Sequence, residues 1–537
     1  MPAPVSAARA AHGGLAPRGL EGTPSSRSFA GRFGRMFREL PSHDVPDDVL
    51  VALAESMIQP VTGGHLDLPI DSDDRGENTA VRHGELRAPA AYTFFGQFVD
   101  HDITFDPVSS LTRQNDPEAL VNFRTPRFDL DNVYGRGPAD QPYLYEPGGL
   151  HFTLGEEVSG DARYAGPDLP RVASGRALIG DPRNDENLVI AQLQCLVLRF
   201  HNAVVDQVSA EHPTWSRGDR FRLAQQVVRW HYQWVVVRDF LPRLVGDDVV
   251  DSLLGESSYL TSPSASGSTA RPDLRFYRWR ENPYMPVEFS VAAYRYGHST
   301  VRPSYALNDA SVVDPPIPGV SRIPTFSGEG GPHQSLNGFR PLEKEWGLDW
   351  RFFLPGIRGA QDTSLPAGLP QPSFRIDTQL AHPLGRLPES TAEAQAIVSG
   401  FPPDVARSLA TLNLVRGKRM GLPAGEDVAR RMGLEPLGRE QLYGDSTLTS
   451  AQVDALVDRT PLWFYCLKEA DVLTGGTQLG PVGGRIVAEV LVGLLAGDPT
   501  SYLNVEPTWT PTLPGRRSGQ FTLSDLANVV LDAEGIA

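Results

Sequence analysis

Apolar residues recur every three to four positions over long stretches of this chain, which is the spacing of one buried helix face. The stretch APAAYTFFGQFVDHDI (88–103) predicts a helix. NDENLVIAQLQCLVLRFHNAVVDQVSA (184–210) places Leu193, Leu196, Val197, Phe200, Val204 and Val208 on one face and predicts a long central helix. RFRLAQQVVRWHYQWVVVRDFLPRLV (220–245) predicts its neighbour. Further helices are expected at VEFSVAAYRYG (287–297), DVARSLATLNLVRG (404–417), EDVARRMG (426–433) and GGRIVAEVLVGLLAG (483–497). Two-residue alternation is weak and scattered, so little β structure is expected.

Long loops separate these segments. GESSYLTSPSASGSTARPD (255–273) and the stretch from Pro315 to Pro332 are rich in Ser, Gly and Pro and read as loops. Helices bearing candidate chemistry lie on both sides of them, so neither reads as a boundary between domains. The expected fold is mainly α, a single large helical domain over 41–537 with long loops. Residues 1–40 are expected to form a flexible, Arg-rich arm: six arginines stand against two glutamates before Leu40. Phe29, Phe33, Phe37 and Leu40 fall on one helical stripe there, so the last turns are expected to dock on the body.

Of 537 residues, 65 are acidic and 49 basic, a formal net charge of −16. Such a surface repels nucleic acid and anionic lipid, so no nucleic-acid partner is expected. Two cysteines, Cys195 and Cys466, sit in apolar runs and read as buried thiols, too few for a disulfide framework or a cysteine-built metal site. No apolar run reaches eighteen residues, so no membrane span is expected, and no secretory h-region opens the chain. A cytoplasmic or non-classically exported protein is the expectation.

Candidate chemistry clusters in five places. In FFGQFVDHDI (94–103), His101 stands between Asp100 and Asp102, with Gln97 four residues earlier on the same face. Neighbours on a helix point about 100° apart, so the two acids flank the histidine on opposite sides. Buried carboxylates need partners, and TPRFDLDNVYG (125–135) offers some. Thr125, Asp129 and Asp131 are oxygen ligands at the close, irregular spacing of a hard-cation loop, although a solvated acidic turn would read the same. In GDPRNDENL (180–188), Arg183 and Glu186 share a face at the start of the long helix. YRYGHSTVRP (294–303) carries His298 behind a glycine, and LNLVRGKRMGLP (412–423) carries Asn413 and Arg416.

Taken in order, these five motifs resemble those of the animal-type haem peroxidases, the peroxidase–cyclooxygenase superfamily, from about Phe94 to LGPVGGRIVAEVL (479–491). The resemblance implies a haem-dependent peroxidase that reduces hydrogen peroxide and oxidises a halide, a pseudohalide or a small organic donor. It implies His101 as distal base, with Gln97 in the same cavity and Arg183 stabilising charge as the O–O bond breaks. It implies His298 as haem-iron ligand, Asn413 as its hydrogen-bond partner, and Arg416 and Arg295 as haem-binding residues. Asp100 and Glu186 become the carboxylates that some relatives esterify to haem b. Ca²⁺ would be held by Asp102, Thr125, Asp129, Asp131 and the backbone carbonyl of Arg127.

The chain also departs from the pattern. Asn187 follows Glu186, and no methionine stands nearby for a further haem bond, which favours bromide, iodide, thiocyanate or organic donors over chloride. RGKRMGLP replaces the usual Arg-Asp-His run. Three rival readings stand beside this one. A fatty-acid dioxygenase of the same superfamily would carry tyrosine three residues before the proximal histidine, where this chain has Arg295 between Tyr294 and Tyr296. A non-enzymatic haem- or calcium-binding protein would keep the fold without turnover. A non-haem iron site could use His65 and Asp67.

Overall fold

The computed structural model describes residues 31–59, 76–106, 115–158, 166–255, 272–308, 322–326, 335–343, 346–358, 369–387, 405 and 407–535. His65 and Asp67, and most of the two Ser/Gly/Pro-rich stretches, lie outside these residues. Among the described residues, eight helices reach ten residues: α1 (Asp47–Ser56), α2 (Ala91–Ile103), α3 (Leu188–Glu211), α4 (Arg217–Trp234), α5 (Leu409–Arg419), α6 (Leu462–Thr474), α7 (Pro481–Gly497) and α8 (Leu523–Ala533). Strands are two residues long. Phe33–Gly34 runs parallel to Met285–Pro286, and Val81–Arg82 and Ser304–Tyr305 pair antiparallel with Glu85–Leu86 and Ile323–Pro324. The fold is mainly α, as the apolar spacing predicts.

α3 and α4 form the central pair, each opened by a side-chain cap. Asn187 accepts from the Ile190 N–H at 2.9 Å, and Ser216 accepts from the Asp219 N–H at 3.2 Å. α3 is long and apolar enough to cross a membrane, yet it is sheathed by protein along most of its length. The helix expected over 220–245 is interrupted: α4 runs into a wide π turn at Val235–Phe240 and then Leu241–Val245. Pro242 has no N–H to donate to Arg238, and the wider turn absorbs the missing bond. α2 lies in the core beside α3, with Phe95 and Phe98 against Tyr232 at 6.1 and 6.0 Å between ring centroids. Gly96 allows this approach, because a Cβ there would stand 3.1 Å from the Phe240 ring.

The segment expected as a helix over 287–297 takes a different form. It is a π turn, Glu288–Ala292, followed by a 3₁₀ turn, Ala293–His298. Ala292 leaves the helical region (φ −128°, ψ −84°). The Arg295 side chain then donates to the Ser290 carbonyl at 3.0 Å, and the Trp463 indole of α6 donates to the Arg295 carbonyl at 3.1 Å. Tertiary contacts, not the intrinsic helix pattern, fix this backbone.

Residues 31–40 dock on the body, as expected, but not through a helix. Phe33 sits in a strand, not on a helical stripe, and Phe33, Met36 and Phe37 are buried. The carboxylate of Glu288 accepts from the Met36 and Phe37 N–H groups, both at 3.0 Å. Phe29 lies outside the described residues. Cys195 and Cys466 are buried free thiols, as expected, and burial pushes Cys195 up to about 12.

Glu469 of α6 caps α7, accepting from the N–H groups of Val482 at 2.9 Å and Gly483 at 3.2 Å. Burial pushes its carboxyl up to about 7. A raised carboxyl binds its proton more tightly in the folded state, so its stabilising effect is full below the unfolded value and is lost as pH rises through about 7. The melting advantage of wild type over Glu469→Gln should therefore shrink by roughly 1–3 kcal/mol between about pH 4.5 and pH 8. Thermal melts of both proteins across that range check it, and a pH-independent difference would contradict it.

Candidate active site

Asp100, His101 and Asp102 occupy the last turn of α2, and the fold sends each to a different neighbourhood. His101 is 5% exposed. Its Nδ1 lies 2.7 Å from Asn184 Oδ1. The same amide donates from Nδ2 to Gln194 Oε1 at 2.7 Å, so Oδ1 is free to accept and His101 carries its proton on Nδ1. Nε2 is left with a lone pair, 3.8 Å from Glu186 Oε1. Burial, reinforced by Arg183, pushes the imidazole down to about 3, so the ring is neutral.

Gln97 and Glu186 close one side. Gln97 donates to Glu186 Oε1 and accepts from Asn187 Nδ2 at 3.3 Å. Asn187 also caps α3, so the residue after Glu186 is engaged in the fold. Arg183 sits in the 3₁₀ turn Pro182–Asp185 that precedes α3, not within the helix itself. Its guanidinium donates to the carbonyls of His101 at 3.1 Å and Thr104 at 2.7 Å, and to Asp181 at 2.8 Å. It also stacks over Phe105, 4.6 Å from the ring centre.

Asp100 accepts from the Thr104 hydroxyl at 3.0 Å. Burial raises its carboxyl, and the charges of Arg183 and Arg295 oppose that rise. Both guanidiniums, one from each side of the site, therefore act on one carboxylate. Asp100 and His298 lie deep in the protein and yet keep accessible surface, so they border an internal space.

The proximal segment meets α2 directly. The Tyr294 hydroxyl donates to the Gly96 carbonyl at 3.1 Å, and the Thr93 and Thr300 hydroxyls lie 2.9 Å apart. The Asn413 amide of α5 spans two partners: Nδ2 lies 2.7 Å from His298 Nδ1, and Oδ1 accepts from Arg295 at 3.0 Å. Burial, with Arg295 adding to it, pushes His298 down to about 3. A Cβ built on Gly297 would meet nothing within 4 Å, so open space lies beside the histidine. Arg416, one turn after Asn413 on α5, has Asp106 as an ion partner at 4.0 Å.

Asp102 turns away from the histidine cavity into a second cluster. Ligand atoms of Asp102, Asp129 and Asp131 lie within 4.8 Å of one another, and all three residues are buried. Leu130 takes a left-handed backbone conformation (φ 56°), which lets Asp129 and Asp131 converge at a cost of about 1–2 kcal/mol. The Thr125 hydroxyl donates to Asp129 at 2.8 Å. No hydrogen bond of normal geometry reaches either carboxylate oxygen of Asp102 or of Asp131. Burial raises Asp102 far above the usual carboxylate range, with Asp129 and Asp131 adding to it, and pushes Asp131 up to about 7. Arg124 reaches Asp131 Oδ1 at 3.2 Å, and three buried acids gathered this closely still fit a cation. The Arg127 side chain reaches toward Asp498 at 4.0 Å, while its N–H donates to Thr125.

The structure thus brings together Gln97, His101, Arg183 and Glu186; Asp102, Thr125, Asp129 and Asp131; and Arg295, His298 and Asn413. Sequence reasoning missed Asn184, which fixes the His101 tautomer, and Asp181 and Arg124, which hold Arg183. The first two lie inside GDPRNDENL and were open to the same motif reading. Arg124 directly precedes the acidic loop that holds its partner Asp131, but its other partner, Asp181, is 57 residues away and leaves no local signal.

Residues 110–327 match the family model described as animal haem peroxidase. Curated relatives include thyroid peroxidase of Rattus norvegicus, 25% identical over 404 residues (71% of this chain, 38% of that protein). Peroxidasin of Drosophila melanogaster is 24% identical over 339 residues (60% of this chain, 18% of that protein). The chain therefore spans well under half the length of these relatives. Among solved structures, peroxidase A from Dictyostelium discoideum shares the fold at TM-score 0.56 and 17% identity, covering 91% of this chain and 93% of that one. Fatty acid alpha-dioxygenase from Oryza sativa does so at TM-score 0.53 and 16% identity, covering 94% and 80%. Residues 110–327 thus resemble the animal haem peroxidases in sequence, and the whole chain shares the fold of these two solved structures.

Three buried carboxylates without a cation repel one another. In chelator-treated protein, Asp102→Asn should melt higher than wild type, by about 1–3 kcal/mol. Added Ca²⁺ should stabilise wild type and leave the variant nearly unmoved. Melting curves with and without Ca²⁺ check this, and a variant less stable than wild type in chelator would contradict it.

Proposed function

We propose that this chain belongs to the superfamily of animal haem peroxidases and works as a haem-dependent peroxidase, reducing hydrogen peroxide and oxidising a halide, a pseudohalide or a small organic donor. One observation carries the reading: two neutral histidines, each met at Nδ1 by an asparagine, stand on segments tied together by Thr93–Thr300 and Tyr294–Gly96. The residues fit a haem. There is open space at Gly297, and Asp100 and His298 keep accessible surface deep in the protein. His298 would hold the iron, Arg295 and Arg416 would pair with the propionates, and Asp100 and Glu186 are the carboxylates available for ester attachment. Haem, when bound, supplies the redox chemistry that side chains lack.

The chain's own residues do the rest. His101 is held in the tautomer a general base needs, since Asn184 takes the Nδ1 proton and Nε2 keeps its lone pair. It accepts a proton from peroxide and returns it to the departing oxygen. Arg183 keeps a fixed positive charge beside this exchange, braced by Asp181 and by carbonyls at the end of α2. Gln97 and Glu186 bound the cavity with polar atoms already engaged, which limits the water they recruit. Asn413 presents Nδ2 to His298 Nδ1, which leaves the ring proton on Nε2; holding iron through Nε2 would require the amide turned over, with Oδ1 accepting from Nδ1–H. Asp102, Thr125, Asp129, Asp131 and the Arg127 carbonyl would hold calcium, anchoring the residue next to His101.

The fatty-acid dioxygenase reading has one observation in its favour, the buried tyrosines Tyr294 and Tyr296 against α2. Tyr294 commits its hydroxyl proton to the Gly96 carbonyl, and Arg295 occupies the position between them. In haem-loaded protein, His101→Gln and Arg183→Ala should each keep the haem absorption spectrum. Each should slow the stopped-flow reaction with peroxide by roughly 10²–10⁴-fold. Unchanged rates would overturn the peroxidase reading and favour a binding role. Oxygen uptake on adding a fatty acid, with no electron donor present, would favour the dioxygenase.

A further inference from the structure

We infer that Arg124 and Asp181 form a positioning relay that couples cation occupancy at Asp102, Asp129 and Asp131 to the placement of Arg183 beside His101. The inference rests on the proposed cation site and on the proposed role of Arg183. The route differs from the direct one, in which Asp102 simply adjoins His101 along α2.

The contacts form an unbroken chain. Arg124 lies 3.2 Å from Asp131 Oδ1 through one terminal nitrogen. Its Nε donates to Asp181 Oδ2 at 3.2 Å, and its other terminal nitrogen donates to the same oxygen. Asp181 then accepts from Arg183 three times: from the backbone N–H at 2.9 Å, from Nε at 3.1 Å and from a terminal nitrogen at 2.8 Å. Arg183 ends the chain on the carbonyls of His101 and Thr104. Arg124, Asp131 and Asp181 are all buried, at 9%, 1% and 1% exposure, so solvent screens these charges little.

Two features make the chain responsive and not merely structural. First, Arg124 is shared. It divides one positive charge between a carboxylate of the cation cluster and a carboxylate that braces Arg183. Burial alone would raise Asp181, but Arg183 and Arg124 outweigh it and hold the carboxyl far below the usual range. Second, the charges do not balance. Asp131 and Asp181 meet the guanidiniums of Arg124 and Arg183, while Asp102 and Asp129 add two more acids beside Asp131. A cation on Asp131 takes over the part played there by Arg124, and Arg124 then commits to Asp181. That eases the pull of Asp181 on Arg183 and changes how firmly Arg183 is held at the end of α2. Coupling of this kind acts equally in both directions.

Reciprocity gives the test its sign. When Arg183 is replaced by Gln, Asp181 claims Arg124 more fully, Asp131 is released, and calcium should bind several-fold more tightly. Asp181→Asn has the opposite effect: Arg124 falls back on Asp131 and calcium should bind several-fold more weakly. In an Arg124→Met background, Arg183→Gln should leave calcium affinity unchanged. Calorimetric titration of chelator-treated full-length chain with CaCl₂ measures all of these without any turnover. If Arg124→Met does not fold, Arg124→Lys, which keeps the charge but not the fork that spans both carboxylates, takes its place, and Arg183→Gln should shift calcium affinity less there than in wild type. An equal effect of Arg183→Gln in both backgrounds, or the same sign for both single variants, overturns the relay alone. Absence of calcium binding to wild type overturns the cation site and the relay together.

Discussion

Three consecutive side chains at the end of α2, Asp100, His101 and Asp102, cannot face one way, because a helix turns about 100° at each residue. Everything else in the site answers that constraint. A dry core would reject two carboxylates beside an imidazole, so each must find a separate environment. Asp100 faces an internal space where two guanidiniums oppose its burial. Asp102 joins two further acids brought together by the left-handed turn at Leu130. His101 is then held between them by Asn184, itself placed by the capped turn that opens α3.

This division of labour explains why so many remote segments converge on one helix. The turn that precedes α3, with its two caps, supplies Asp181, Arg183, Asn184 and Glu186. α4 supplies Tyr232, whose ring packs on α2 and whose hydroxyl faces Asp102. α5 supplies Asn413, and α6 supplies Trp463, which holds the backbone that presents His298. Residues 31–40 reach the same segment from behind, through Glu288. The large apolar core positions a small number of polar groups, and those groups are satisfied mainly by one another.

Much of this was legible in the chain before its fold was known. Helical spacing marked α2, α3, α4 and α7 because their apolar faces are long and uninterrupted. α6 was missed: LWFYCL is apolar on all sides, and such a run carries no periodicity. α1 and α8 are short and were missed too. The 287–297 segment read as helical because its side chains keep that pattern, while Arg295 and Trp463 impose another backbone. Within the site, the residues that would touch substrate or cofactor were legible as motifs. The residues that orient them were less so, since Gln194 acts one step removed, through Asn184, and Arg124 acts through Asp181 in another segment.

The central claim is that His101 and His298 border one space that a haem fills, with His298 as the iron ligand. Titration of the purified chain with haemin, followed by its absorption spectrum, tests this most directly when paired with His298→Ala. The expected result is stoichiometric binding to wild type and an altered spectrum in the variant that free imidazole restores. Identical binding and identical spectra in wild type and His298→Ala would contradict the claim.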